Sequence, residues 1–378
     1  WVLRKIAALG ESGQQILLVP EHASYQAEVD VCRVCGDHAS RYAEVLSFRR
    51  LGERVLSITG GISDVTLDSG GKLLTLQRAL LETAPMLTLY RRPSQKVGFL
   101  EQMLALFDEL QCYEVTPERL YEQAQSLTGA TRDKLLDLSL LYGAYEARLR
   151  RPGLDSRDRM TKLCEHLEES AYVRDKNIFI DGFTYFNAQE RRVLSVFLRQ
   201  ARSVTITLLG EPDSAGEMWQ GSLRTRDQLT RLADQAGCPW EVRTLTSADD
   251  SALGYLEHHF FGEGEPYQGD SSAIRVREAD TAFSEVEQTA ADIRRLVAAG
   301  KCRYRDITVA ARNMTDYEGT IETVFERYSI PAYLSRRSSM LEKPVWSLIT
   351  GVLSALENGL EYEDMFRWLK TGLAGLMP

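Results

Sequence analysis

Nowhere in the 378 residues does the string G-x-x-x-x-G-K-[ST] occur, so the sequence holds no loop of backbone N–H groups and lysine able to cradle nucleotide phosphates. The nearest imitation, the SGGKL that ends at Leu73, lacks both the upstream glycine and the hydroxyl residue. No run approaches eighteen apolar residues, which excludes a membrane-spanning helix. No charged-then-apolar leader with a small-residue cleavage site is visible, and a cytoplasmic location is expected. Positive charge is in deficit: 45 Lys and Arg against 54 Asp and Glu leave a net charge of −9. Non-specific nucleic-acid affinity comes mainly from Lys and Arg releasing counterions, so a surface coated for phosphate is excluded and any DNA contact has to be local. The six cysteines are scattered, which fits reduced thiols rather than a disulfide framework. Cys32-x-x-Cys35 has no second pair or histidines at metal-ligand spacing. His258 and His259 are adjacent and point apart in regular structure, and the G-x-S-x-G signature of a hydrolase is missing.

What is present is an ordinary globular composition, 44% hydrophobic and 26% charged, long enough for two or three domains with separate cores. A helical pattern (Trp1, Val2, Leu3, Ile6, Leu9) closes at Gly10 and Gly13. The run QILLVP (Gln15 to Pro20) reads as a buried parallel strand. A helix over about Ser24 to Cys35, a strand near Glu44 to Ser47 and a helix from Phe48 to Leu56 follow, the alternation of a doubly wound sheet. From about Leu73 to Ser170 only helical periods remain, among them Pro117 to Ser126, with Thr116 as its N-cap. The sheet resumes at Asn177. Asn187 and Glu190 have the spacing of a capping box for a helix to about Ala201, and the strand SVTITLLG (Ser203 to Gly210) comes next. After a helix near Leu223 to Ala236 and a short strand (Trp240 to Leu245), residues 246 to 272, rich in Ser, Asp, Gly and Glu, make the best linker. A second α/β unit is expected from Ile274, with strands AIRVREA, DITVAAR (Asp306 to Arg312) and Pro331 to Leu334 and helices Ser284 to Ala299 and Thr315 to Tyr328. A helical amphipathic tail spans Lys343 to Leu376. Arginine doublets (Arg49/Arg50, Arg91/Arg92, Arg150/Arg151, Arg191/Arg192, Arg294/Arg295, Arg336/Arg337) fit a solvated face or the lining of a channel.

The most informative stretch is NIFIDGFTYF, Asn177 to Phe186. An apolar strand ending in an acidic residue is how a nucleotide-hydrolysing α/β domain presents a carboxylate to the water shell of Mg²⁺, and the next position should carry a Glu that orients the attacking water. Here Asp181 is followed by Gly182. Asp181 is either a magnesium-facing carboxylate or a strand-end Asp capping the next turn.

Four blocks, QILLVPEHASYQAEVDV, EVLSFRRLGERVL, IFIDGFTYFNAQERRVLSVFL and DITVAARNMTDYEGTIETVFERYSIPAYL, together resemble the AddB (RexB) family, the second subunit of the bacterial AddAB-type ATP-dependent helicase–nuclease. The resemblance implies an α/β, superfamily-one helicase-like (RecA-like, P-loop NTPase) fold. Residues 1–90 and 172–270 would form the first RecA-like domain, 91–171 a helical insertion, 271–340 the start of the second such domain, and 341–378 a helical entry to a further insertion. The phosphate loop would lie upstream of Trp1, at a cost of roughly fifteen to twenty residues that include a strand of about six. A complete member goes on to a nuclease domain with a two-metal carboxylate site and a 4Fe-4S cluster. The resemblance brings ATP and Mg as cofactors of the parent, an AddA-type subunit as heterodimer partner, and single- and double-stranded DNA as substrates, with no membrane.

In that family the subunit's helicase-like site is a reader of one DNA strand, scanning for the recombination hotspot Chi in the processing of double-strand breaks. The positions resembling the reading surface are His22, Ser24, Phe48, Arg50 and Phe186; Phe48 and Phe186 fit core packing equally well. Glu53 departs from the pattern, since some relatives carry an aromatic there, which puts the sequence read in doubt. Asp181 and Gln189 are the remnants of the Walker B region, and Arg312 ends a strand where active relatives place an arginine near the nucleotide, a salt-bridging role being the other reading. GEPDSAGEMW, from Gly210, resembles the G-D-x-x-Q coupling segment without its Gln. The expectation is a non-catalytic, helicase-like piece of such a subunit; the alternatives are an active ATPase cut short of its phosphate loop and an interaction scaffold with no DNA contact.

Overall fold

The structure, a computed structural model, describes residues 1–375 except 61–66, 92–96, 150–158, 211–218, 246–248, 261–264 and 335–342. Two compact units, Trp1–Gln268 and Gly269–Pro378, divide it. The first holds four parallel strands, β1 (Gln15–Leu18), β2 (Ala43–Leu46), β3 (Asn177–Ile180) and β4 (Ser203–Ile206), in the order β2-β1-β3-β4. Leu18 is level with Leu46 and Ile180, and Ile180 with Ile206.

Helices α1 (Val2–Leu9), α2 (Ser24–Cys35) and α3 (Phe48–Thr59) surround the first two strands. Then α4 (Ser69–Thr83), α5 (Val97–Cys112), α6 (Pro117–Gln125), α7 (Gly129–Leu149) and α8 (Arg159–Glu169) run without a strand before β3; α9 (Ala188–Gln200) joins β3 to β4, and α10 (Gln220–Gln235) and α11 (Ala252–His259) follow. The first three strands are largely apolar and buried because both faces of the sheet are covered there, whereas β4 is only partly buried. Ile16, Leu18, Ile178 and Ile180 share one core with Leu51 and Val55 of α3, Leu163 and Leu167 of α8 and Val193 and Phe197 of α9. Leu17, Val45 and Phe179 meet Val2, Ile6 and Val31 on the other face.

The helical stretch has its own core. Leu76 and Leu80 of α4 pack with Phe107 of α5 and Leu141, Tyr142 and Tyr145 of α7, and the Phe107 and Tyr142 rings stack at 4.7 Å. Asp137, 2% exposed, accepts the backbone N–H groups of Thr88, Leu89 and Tyr90 at 2.7–3.1 Å. A buried carboxylate is kept by such donors. SGGKL is the first turn of α4: Asp68 accepts from Gly71 N–H at 2.7 Å, and Lys72 pairs with Asp108 at 3.0 Å.

Several expected strands are not ladders. Residues 240–245, 274–279, 307–311 and 331–334 run irregularly, and Val276 is 93% and Tyr333 92% exposed. A strand exists only where a neighbour takes its backbone N–H and C=O groups, and no neighbouring strand faces these segments among the described residues. The second unit is therefore described by its helices α12 (Ala282–Ala298), α13 (Glu318–Arg327), α14 (Pro344–Glu357) and α15 (Tyr362–Leu369). Val286, Ala290 and Ile293 of α12 pack on Ile321, Val324 and Phe325 of α13. The expected helical tail consists of two helices, α14 and α15, with Gly359 at φ 74° and Leu360 at φ 65° in the turn between them. The expected linker, 246–272, contains α11, and the break between the units falls within it. No helix of the described residues is long and apolar enough to cross a membrane.

A candidate nucleic-acid interface at the carboxyl edge of the sheet

At the carboxyl ends of β1 and β3 the chain turns in opposite directions: α2 covers the face of Leu17 and Phe179, α9 the face of Leu18 and Ile180. Such a reversal between neighbouring strands opens a crevice, the usual ligand position of a parallel sheet. The ladder continues into it, Val19 N–H bonding to Leu46 O at 2.9 Å and Asp181 N–H to Leu18 O at 3.0 Å.

Asp181 is partly exposed and accepts the Thr207 hydroxyl, so it ties the end of β3 to the residue after β4. Gly182 has φ 81°, and a Cβ there would lie 3.3 Å from Cδ of Pro20. The position that a water-orienting Glu would take thus favours glycine by its backbone conformation, and a Cβ there would press on the Pro20 ring. Gln189, 3% exposed, turns into the packing of α9 on α8, donating to Thr161 Oγ1 at 3.2 Å.

The reading-surface residues come from the turns after β1, β2 and β3. His22 is exposed in the turn before α2. Ser24 is buried at the start of α2, its hydroxyl 3.5 Å from Pro20 O. Ser47 caps α3 by accepting from Arg50 N–H at 3.2 Å, and its hydroxyl donates to the Glu21 carboxylate. Arg50 donates to Glu28 of α2 at 2.5 Å. That bond raises the guanidinium's pKa first, burial opposes it, and the charges of Glu28, Glu21 and Glu44 add to the rise. Phe48 and Phe186, 8% and 3% exposed, are core rings joined through Phe183, which meets Phe48 edge-on at 5.5 Å and stacks on Phe186 at 5.3 Å. Glu53 pairs with Arg49 one turn earlier at 3.3 Å.

Aromatic faces open to solvent at this edge belong to residues that sequence reasoning passed over: Tyr185, 65% exposed, and Tyr25, 77% exposed in the first turn of α2. The signal was the aromatic pair Tyr185-Phe186 itself, since one of two neighbours on an extended loop faces outward when the other faces the core. Arg312 lies in the second unit, exposed at a bend. The GEPDSAGEMW segment falls almost wholly on 211–218, and Arg92, Arg150, Arg151, Arg336 and Arg337 also fall outside the described residues. Described doublet members are held locally: Arg192 pairs with Glu168 at 3.6 Å, Arg294 donates to the Tyr304 hydroxyl at 2.9 Å and Arg295 to Asp292 at 2.5 Å. Cys35 donates weakly to Leu3 O at 3.6 Å, and burial raises its thiol pKa. His259 stacks on Tyr255 at 4.0 Å.

The resemblance implies Mg and ATP. At the end of β3 the carboxylate of Asp181 is engaged by Thr207, Gly182 follows it, and no group of three or more His, Cys, Asp or Glu among the described residues is arranged to hold a metal ion.

A parallel sheet between two helical layers, with its strand-end aspartate, acid-paired arginine and outward tyrosines at the carboxyl edge, defines a doubly wound α/β protein. Its family is also shown: the model described as "ADDB, N-terminal" matches residues 2–257, and the chain belongs to that family. Among its relatives are proteins named as the B subunit of an ATP-dependent helicase/deoxyribonuclease. That of Thermoanaerobacter sp. (strain X514) is 31% identical over 97% of this chain and 33% of the relative, and that of Clostridioides difficile (strain 630) is 29% identical over 99% and 34%. The relative in Desulforudis audaxviator (strain MP104C) is 33% identical over 95% and 32%. The chain spans about a third of the length of the curated relatives it matches.

Proposed function

We propose that this chain is the helicase-like part of the B subunit of an ATP-dependent helicase/deoxyribonuclease, that it holds single-stranded DNA along the carboxyl edge of its sheet, and that it does not itself turn over ATP. The observation that carries the reading is the convergence at one edge of the turns bearing His22, Ser24, Phe48, Arg50 and Phe186. Single strands are held by aromatic stacking and by arginines on phosphates. Tyr185 and Tyr25 offer the stacking faces and Arg50 the phosphate contact, while Phe48 and Phe186 support the loops from beneath. Gly182 after Asp181 supports a binding role over hydrolysis.

The wider assignment follows from the family: a superfamily-one helicase-like fold, double-strand-break processing for homologous recombination, reading of a Chi-like hotspot and a heterodimeric AddA-type partner belong to this proposal. ATP and Mg belong to the parent complex, with Arg312 a nucleotide-side residue of the second unit, and a 4Fe-4S cluster to its nuclease domain. Hydrogen exchange with and without a single-stranded oligonucleotide tests the edge. Protection is expected at residues 19–28, 47–51 and 181–187, and Arg50→Ala is expected to weaken binding roughly tenfold, the cost of losing a charged hydrogen bond. Absence of protection there, together with affinity indifferent to Arg50→Ala, would overturn it.

A further inference from the structure

Arg50 is the cation that a DNA phosphate would need, yet it already holds an anion. Glu28 reaches it from α2 at 2.5 Å. The two side chains are 42% and 43% exposed, so the pair is open to solvent and to a ligand. A half-exposed ion pair of this kind is weak enough to exchange partners. The neighbouring contact follows the same logic, since the Glu21 carboxylate accepts the hydroxyl of Ser47, the residue that caps α3. Both carboxylates come from the segment that follows β1, and both are spent on groups at the start of α3.

We infer that Glu28 is a specificity-determining residue, an internal competitor that occupies Arg50 until a correctly placed phosphate of single-stranded DNA displaces it. This rests on the reading that DNA lies along the carboxyl edge. The exchange has a thermodynamic signature. A bare arginine that takes a phosphate releases a condensed counterion, giving a salt slope of about −0.7 per contact on single strands. When the phosphate displaces Glu28, the freed carboxylate attracts a cation in its turn, and that release is offset. Arg50 then contributes its hydrogen bond and its position with little salt dependence, which suits an acidic protein whose net charge is −9. A strand whose phosphate misses Arg50 leaves the internal pair intact and gains nothing from it.

The test is fluorescence anisotropy of a labelled mixed-sequence single-stranded oligonucleotide across a salt series, with the unaltered protein, Glu28→Gln, Arg50→Ala and the double variant, each checked by circular dichroism. Glu28→Gln is expected to bind about two- to fivefold tighter, the exchange value of an exposed ion pair, and to steepen the salt slope by about 0.7. In the Arg50→Ala background the same change is expected to do neither. Glu28→Lys serves as a second variant and is expected to tighten binding further. Unchanged affinity and slope in Glu28→Gln, with Arg50→Ala still weakening binding, would overturn the inference while leaving the DNA edge standing. Equal tightening with and without Arg50 would overturn it also, because the carboxylate would then act only as general negative charge. Binding indifferent to Arg50→Ala, with no protection at the edge, would instead remove the reading beneath it.

Discussion

Gly182 and Asp137 show how single residues hold the sites around them. A side chain at Gly182 meets Pro20 at 3.3 Å from a backbone with φ 81°. Gly182→Glu is therefore expected to destabilise the first unit by about 1–3 kcal/mol, the usual cost of a strained conformation, and to restore no ATP hydrolysis; a lowered thermal midpoint and a DNA-stimulated phosphate-release assay check the two halves. Asp137→Ala removes the acceptor of three backbone N–H groups and is expected to cost about 1–3 kcal/mol, read as a shift in the denaturation midpoint with its slope unchanged. Asp306 gives a pH test. Its carboxyl is lowered from 3.8 to about 2, first by the Arg303 side-chain hydrogen bond and then by the Arg303 backbone N–H. The folded value lies below the unfolded one, so its contribution to stability is present above about pH 4 and lost as pH falls through about 2. Carboxyl resonances followed by NMR are expected to titrate there, and to return toward the ordinary range in Arg303→Ala.

Among the elements, caps and close crossings decide where helices begin and how they meet. Asn187 and Glu190 form the capping box of α9, with bonds of 2.9 Å in each direction, and α9 is the helix that ties β3 to β4. Asn187→Ala is expected to destabilise by about 1 kcal/mol, measurable by chemical denaturation, and to loosen hydrogen exchange in the first turn of α9 before the strands. The α14–α15 pair crosses at Gly351, where a Cβ would lie 2.8 Å from Cβ of Trp368 and 3.1 Å from its backbone nitrogen. Because backbone cannot step aside as a flexible side-chain tip can, Gly351→Val is expected to separate the two helices. Increased Trp fluorescence quenching by iodide would report it, since Trp368 lies at the contact.

For the whole molecule, the division at Gln268 and Gly269 leads to the expectation of more than one calorimetric transition. The amino-acid sequence by itself determined the strands β1, β2, β3 and β4, the helical stretch between β2 and β3 and the capping box of α9. In each, a local pattern (a continuous apolar run between turns, a 3.6-residue period, an Asn three residues before a Glu) coincides with the tertiary demand. It also carried the family, because three of the four motif blocks supply the strand ends and turns at the carboxyl edge of the first unit's sheet. Tertiary structure alone decided the rest. The segments at 274–279 and 307–311 look like strands in the chain, but a ladder is a property of two paired strands and not of one. Phe48 and Phe186 carry the residue type of a stacking surface, yet their rings face the core while Tyr185 and Tyr25 face out. Arg50 reads as a free cation until the fold brings Glu28, 22 residues away in the chain, against it. Charge pairing and side-chain direction are fixed by which elements pack together, and local sequence carries no record of that.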